Sequence, residues 1–283
     1  MKVAILAGGK GTRFAEETSI RPKPMIEIGG MPILWHIMMH YYSYGYRDFT
    51  VALGYKGDVI KRWFVERANV GGSLRINPAT GEIVRKGSDL PNWDLHLFET
   101  GLDTNTGGRI KALGPVMGNS TFMLTWGDGV SNVDLHALVN FHKSHGKLAT
   151  MTVVRPPARF GQVVLDGDQI TDFKEKPKHG DGWINGAFFV LEPEVVDYID
   201  GPDTLFEKEP LERLAAEGQL MAYRHEGFWQ CMDALRDKMI LEDIWASKKA
   251  PWANWRMTET GKLDATSSLR GIEPGNGAVG GRP

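Results

Sequence analysis

Three glycines within four positions, with a hydroxyl and a guanidinium directly behind them, are suited to holding phosphate. They stand in the stretch Leu6-Ala7-Gly8-Gly9-Lys10-Gly11-Thr12-Arg13. The glycines strip side chains from the turn, so backbone N–H groups can approach an anion such as a triphosphate. Arg21-Pro22-Lys23-Pro24 follows, with a lysine framed by prolines. The prolines are expected to keep the backbone around Lys23 extended and so to aim its amine. Arg13 and Lys23 then supply two fixed cations beside the loop. As a charged loop side chain, Lys23 is expected to act through its charge and to do little packing, so Lys23→Ala should hardly alter stability.

The order G-G-x-G-T-R does not meet the dinucleotide fingerprint G-x-G-x-x-G, and no Gly-Lys-Ser/Thr follows at P-loop spacing. A second glycine loop, Asp103-Thr104-Asn105-Thr106-Gly107-Gly108-Arg109, opens a helix. That helix N-terminus favours an anion and Arg109 strengthens it; a plain turn with an N-cap reads equally well. Asp128, in Gly127-Asp128-Gly129, follows the apolar run Phe122–Trp126. The carboxyl end of a central parallel strand is where open α/β sheets place ligands. Asp233 closes the aromatic stretch Gly227-Phe228-Trp229-Gln230-Cys231-Met232-Asp233. Two carboxylates facing a triphosphate suit one Mg²⁺, a hard cation that prefers oxygen and bridges phosphate oxygens during displacement at phosphorus. Taken singly, Asp128 also reads as a turn residue and Asp233 as a helix N-cap. His36 and His40 lie four apart on a helix, but no Glu follows the first and no third ligand is evident, so zinc is not read there. His142 and His145 read the same way.

These residues need a scaffold, and the chain alternates strand and helix as a parallel α/β sheet requires. Val3–Leu6 reads as a short buried strand, Pro32–Tyr44 as a helix with Pro at its start and Gly45 beyond its end. Phe49–Leu53 is a second strand and Asp58–Arg67 a second helix. Val70–Gly87 reads as a hairpin-like excursion, and Leu95–Phe98 resumes the sheet. The helix after the second glycine loop runs to about Met117. Strands at Phe122–Trp126 and Leu148–Val154 flank a helix at Asp134–His145. A hairpin with a D-G turn spans Gly161–Ile170. Trp183–Leu191 is another buried strand. Helices are expected at Glu192–Ile199, Leu205–Glu217 and Ala234–Ser247. One domain is read over 1–256, and the Gly- and Pro-rich residues 257–283 are expected to form a disordered tail.

Composition narrows the class of function. The chain has 283 residues, 42 % apolar and 24 % charged, as in an ordinary globular protein. A net charge of −2 advertises neither nucleic acid nor a membrane surface. The single cysteine, Cys231, excludes an intramolecular disulfide framework. No apolar run approaches spanning length, and the first residues read as a core strand, not a signal peptide, so the cytoplasm is the expected compartment.

Strand, Gly-Gly-x-Gly-Thr-Arg and Arg-Pro-Lys-Pro together resemble the signature of the sugar-1-phosphate nucleotidylyltransferases. Further segments match in that family's order: Thr100–Arg109, Gly127–Asp128, Glu175–Pro177 with Ile184–Phe189, and Gly227–Asp233. The resemblance runs from about Met1 to Trp252 and is greatest to the members that use CTP. It implies a nucleotide-diphospho-sugar transferase fold, a mixed, mainly parallel sheet flanked by helices. It implies CTP and α-D-glucose 1-phosphate as substrates and CDP-glucose and pyrophosphate as products. Leu6, Ala7, Gly8, Gly9, Lys10, Gly11, Thr12, Arg13, Lys23, Thr104, Arg109 and Gly127 would then hold the nucleotide, with Arg13 and Lys23 catalytic. Glu175, Lys176 and Asn185 would face the sugar phosphate, and Asp128 and Asp233 would bind Mg²⁺. Such enzymes feed CDP-linked deoxysugars of bacterial surface polysaccharides (O-antigen of lipopolysaccharide), and relatives form homo-oligomers, hexamers among them. Ala187 departs from the pattern, standing where many relatives carry glycine, and Cys231 stands where proline is frequent. A UTP- or dTTP-using relative and a non-catalytic subunit of the same fold remain alternatives, since phosphate motifs do not distinguish bases.

Overall fold

The structure is a computed structural model, and it describes residues 1–87, 90–156, 162–174 and 182–255. Its frame is a seven-stranded sheet. The sheet strands and main helices, in chain order, are β1 (Val3–Leu6), α1 (Ile33–Ser43), β2 (Asp48–Leu53), α2 (Gly57–Val70), β3 (Asp94–Glu99), α3 (Thr106–Met117), β4 (Phe122–Trp126), α4 (Leu135–His145), β5 (Ala149–Val154), β6 (Ile184–Leu191), α5 (Glu209–Ala216), β7 (Leu220–His225) and α6 (Leu235–Ala246). The order across the sheet is β7-β5-β6-β4-β1-β2-β3. All neighbours are parallel except β6, which runs antiparallel to both β4 and β5. The parallel α/β sheet expected from the alternation is therefore present, and its one antiparallel strand makes it the mixed, mainly parallel sheet that the resemblance implies.

Both faces of the sheet are covered, which explains why its central strands read as unbroken apolar runs. In β1, Val3 and Ile5 join the core beneath α1, whereas Ala4 and Leu6 face the opposite core with Ile110 and Leu113 of α3. Helix α1 is buried from Ile33 through Tyr41. The chain returns to it at the end, where Trp252 and Trp255 are buried and Trp245 packs edge-on against His36. Trp252 donates its indole N–H to His36 Nδ1 at 3.3 Å, so Nε2 carries the ring proton and donates to the Ile28 carbonyl at 2.8 Å. His36 and His40 are thus core residues.

Chain order places the site. β1 is flanked by β2, which follows it, and by β4, which comes much later. The winding reverses at β1, so the carboxyl ends of β1 and β4 open a crevice between them. Gly127 donates its N–H to the Leu6 carbonyl at 2.9 Å, fastening the two loops that leave these strands.

Some elements differ from expectation. The helix expected at 192–199 is a 3-10 turn, Pro193–Tyr198. The helix expected from 205 begins at Glu209, because Phe206 N–H is taken by the Thr106 hydroxyl at 2.9 Å. Edge strand β7 carries alternating half-exposed residues, a weak apolar signal that the sequence reading passes over. No helix among the described residues is long and apolar enough to cross a membrane. The expected tail, 257–283, lies outside the described residues.

Candidate active site

The glycine loop leaves β1 and turns at Gly11, whose φ of +61° is free for glycine and strained for other residues. A cavity of about 270 Å³ opens beside it. Its walls include Leu6, Ala7, Gly8, Gly9, Gly11 and Thr12 from the first loop, Thr104 and Arg109 from the second, and Lys23, Gly127, Asp128 and Asp233. Twelve residues singled out in the sequence as nucleotide- or metal-binding therefore meet at one place, from five separate segments. Pro24, Asn105, Thr106, Trp126 and Leu205 complete the wall and were not singled out as ligand-binding. Lys10 does not line the cavity; it pairs with Asp103 at 2.7 Å in an exposed bridge between the two loops. Such a bridge adds little stability. Arg13 belongs to the 3-10 turn Thr12–Phe14, and its side chain lies outside the described part of the structure. Glu175 and Lys176 lie outside the described residues.

Arg109 is the fastener of the two loops. Its side chain is buried and its fork donates to the Leu53 carbonyl (2.9 Å), the Thr100 hydroxyl (2.6 Å), the Gly101 carbonyl (2.8 Å) and the Gly8 carbonyl (3.0 Å). A planar, permanently charged group with several donors is suited to collecting carbonyls from three directions. Burial pulls its pKa down, against the attraction of Glu99. The guanidinium fills space that side chains would need: a Cβ on Gly8 would lie 2.2 Å from Nη1, and one on Gly54 2.5 Å from it.

Lys23 departs from its expected setting. Pro22 is extended, with ψ of 150°, but Lys23-Pro24-Met25 forms a tight 3-10 turn closed by Met25 N–H on the Pro22 carbonyl at 2.8 Å. Pro24 fits there because an N–H in the first turn has no partner to lose. The amine is buried and lies 2.6 Å from Asp128 Oδ2 and 2.5 Å from Asp233 Oδ1. Burial alone would lower its pKa, but the two carboxylates outweigh that cost and raise it. The expectation that Lys23 is structurally idle is thereby corrected: it is the counter-ion of two aspartates.

The two carboxylates meet through a short antiparallel pair. Gly129–Ser131 pairs with Trp229–Cys231, Gly129 opposite Cys231, and Met232 N–H donates to the Asp128 carbonyl at 2.8 Å. That ladder brings Asp233 beside Asp128. The cap of α6 is not made by Asp233. Asp237 Oδ2 accepts from the N–H groups of Asp233 and Ala234 at 2.9 and 3.0 Å. Cys231, next to the aspartates, has its thiol pushed up to about 12, first by burial and then by Asp233 and Asp128. It stays protonated and is no nucleophile.

A second cavity of about 190 Å³ adjoins the first and shares Trp126, Asp128 and Asp233 with it. Asn185, Ala187, Glu207, Trp229 and Cys231 also line it. Glu207 accepts from Trp126 Nε1 at 3.1 Å and from Thr106 Oγ1 at 2.5 Å, tying α3 to the end of β4. Two compartments therefore join at Trp126 and two carboxylates, and the Lys23 ammonium pairs with both carboxylates from the first. The arrangement can hold two polyanions end to end and offset charge at the junction; among the described residues no hydroxyl–histidine pair lines it.

The chain belongs to the Nucleotidyl transferase family, whose profile matches residues 2–237. It is 47 % identical over 256 residues to the glucose-1-phosphate cytidylyltransferase of Salmonella typhi, covering 90 % of this chain and 100 % of that protein. It is 30 % identical to the mannose-1-phosphate guanyltransferase of Saccharomyces cerevisiae, covering 84 % of this chain and 62 % of that one. Among solved structures, HddC from Yersinia pseudotuberculosis superposes with a TM-score of 0.64 at 23 % identity, over 86 % of this chain and 99 % of its own. That likeness is one of fold.

Proposed function

We propose that this protein transfers CMP from CTP to α-D-glucose 1-phosphate, giving CDP-glucose and pyrophosphate. The observation that carries the reading is the junction of two cavities at Trp126, Asp128 and Asp233, with the Lys23 ammonium of the first cavity paired to both carboxylates. The identity of the nucleotide and sugar rests on the similarity to the Salmonella typhi enzyme, which extends over that protein's whole length.

The reaction needs no enzyme nucleophile. An oxygen of the sugar phosphate attacks the α-phosphorus of CTP in line with departing pyrophosphate. One P–O bond forms as another breaks, and pyrophosphate leaves with the electron pair. The protein's work is positioning and charge stabilisation. The glycine loop offers N–H groups to the triphosphate in the first cavity, and Arg109 keeps that loop in place without leaving the protein interior. Asn185 faces the sugar phosphate from the second cavity. Lys23 neutralises charge where the two meet.

Asp128 and Asp233 fit a divalent cation, which we take to be Mg²⁺. Both reach a single point now held by the Lys23 ammonium, and carboxylate oxygens are the donors a hard cation prefers. Among the described residues no group of three or more His, Cys, Asp or Glu gathers to form an all-protein metal cage. Two carboxylates plus phosphate oxygens and water are the usual Mg²⁺ set. Bound there, the ion would offset charge on the phosphates during displacement.

We also propose a cytoplasmic homo-oligomer, a hexamer by the resemblance, that feeds surface-polysaccharide synthesis. The hairpin Ser73–Asn77 with Glu82–Lys86 supports assembly, since it stands exposed with Leu74, Ile76, Ile83 and Val84 uncovered. A lone two-stranded hairpin is marginal in water. Light scattering on the purified chain tests this, and a monomer would refute it. The activity is tested by pyrophosphate release with CTP, UTP, dTTP and ATP against glucose 1-phosphate. CTP is expected to be preferred; equal turnover of UTP would overturn the base assignment, and no release with any nucleotide would overturn the reaction.

A further inference from the structure

β6 does not run straight past the second cavity. Its register against β5 breaks between Met151 and Val153. At the break, Ala187 has φ of +61° and Phe188 φ of +50°, two consecutive side-chain-bearing residues in the left-handed region. That region is disfavoured for both residues, and such strain persists only where surroundings impose it. Here three side chains impose it. Asn185 Oδ1 accepts the Ala187 N–H at 2.8 Å. The Thr152 hydroxyl donates to the Phe188 carbonyl at 2.8 Å. Trp229 Nε1–H donates to the Gly186 carbonyl at 2.8 Å. The Phe188 ring is buried and stacked on Tyr41, so the kink cannot relax by releasing it.

The pins are not equivalent. Thr152 sits inside the sheet, whereas Trp229 belongs to the short strand that leads to Asp233, and it lines the cavity together with Asn185. Its indole therefore crosses from the carboxylate side to the strand that bears Asn185. The kink also sets which end of the Asn185 amide is offered. Oδ1 is spent on the chain's own N–H, which leaves the Nδ2 donors to face an anion. We infer that Trp229 is a positioning residue for the sugar-phosphate subsite: its indole N–H holds the left-handed kink at Ala187–Phe188 and thereby fixes the Asn185 carboxamide relative to Asp128 and Asp233. This rests on the reading of the second cavity as the sugar-phosphate compartment.

Trp229→Phe keeps an aromatic ring and removes the donor together with the rest of the pyrrole ring. Its KM for glucose 1-phosphate is expected to rise about 10-fold, the loss of one hydrogen bond, with the KM for CTP within about twofold of wild type. Adding Ala187→Gly should return the sugar-phosphate KM most of the way, because glycine adopts φ of +61° without strain. A merely structural tryptophan would move both KM values together and would not be rescued by a glycine on another strand. If Trp229→Phe fails to fold, Thr152→Val removes the pin on the other side of the same kink and should give the same selective rise. An unchanged sugar-phosphate KM in the variant that folds, or a rise that Ala187→Gly does not reverse, overturns the inference while leaving the activity standing. Wild-type protein that does not turn over glucose 1-phosphate overturns the reading of the cavity and this inference with it.

Discussion

Replacing Lys23 by methionine keeps the stem and removes the ammonium that two carboxylates share. Breaking a buried pair by deleting one partner costs about 3–5 kcal/mol, because the remaining charge is left uncompensated. Here the Asp128 and Asp233 side chains retain 28 % and 23 % of their exposure, so water takes over part of the task. A loss of about 2–3 kcal/mol follows, roughly 4–12 °C in Tm for a domain of this size. The sign with pH is fixed by the raised pKa of the amine. Wild type holds this contribution throughout neutral pH and loses it only as the pH rises through that raised pKa. Calorimetry with and without Mg²⁺ is the assay. The variant should melt lower, and Mg²⁺ should raise its Tm more than that of wild type, since a cation can enter between carboxylates no longer bridged by the lysine. Activity should fall by about 10²-fold or more in kcat/KM. A Tm within 2 °C or so of wild type, with no Mg²⁺-specific gain, would refute the reasoning that the triad is a compensated charge centre.

Asp128→Asn and Asp233→Asn should each lower kcat/KM by about 10²-fold, and the double variant should fall well short of the product, because one cation needs both; full activity in Asp233→Asn would remove it from the site. Arg109→Lys cannot reproduce the fork, so the KM for CTP should rise by about 10-fold or more with a lower Tm, measured by steady-state kinetics and calorimetry. Burial lowers the pKa of both His36 and His40 to about 4. Between the ordinary histidine range and about 4 the unfolded chain binds protons that the native chain refuses, so stability falls as the pH drops. Urea midpoints measured from neutral to acid should show that slope, and His36→Gln should flatten it; a flat wild-type profile would contradict the burial argument.

What could be read in the sequence was what residue type announces. The glycine loop, the proline-framed lysine and the aspartate after an apolar strand each carry a local signal, as do Pro32 and Gly45 at the ends of α1. What could not be read depends on partners that have no side-chain identity or lie far along the chain. Arg109 is spent on backbone carbonyls, and a carbonyl is the same at every position. Asp128 and Asp233 meet through a ladder of three residues on each side, too short for any periodicity. The burial of Lys23 follows from that pairing and was hidden with it. Trp126 and Glu207 line the cavities by way of a bridge between α3 and β4 that only the folded chain creates. Ala187 was visible as a departure from glycine, but its left-handed backbone was not.

Gly8, Gly54 and Arg109 come from three segments and compete for one small volume. No side chain can be added at Gly8 or Gly54 while the guanidinium stands there. If Arg109 were shortened first, the carbonyls of Gly8, Leu53 and Gly101 would lose the donor they share. Every single-residue departure is thus penalised, and the way out requires at least two simultaneous changes. A lineage carrying this trio is held in a valley that drift does not leave by ordinary steps. New nucleotide preferences in its descendants should therefore arise from residues lining the cleft elsewhere, with the loop that cradles phosphate passed on intact. A saturation library over the three positions should return wild type almost alone among functional singles, however varied the survivors are at Thr104 or Trp126.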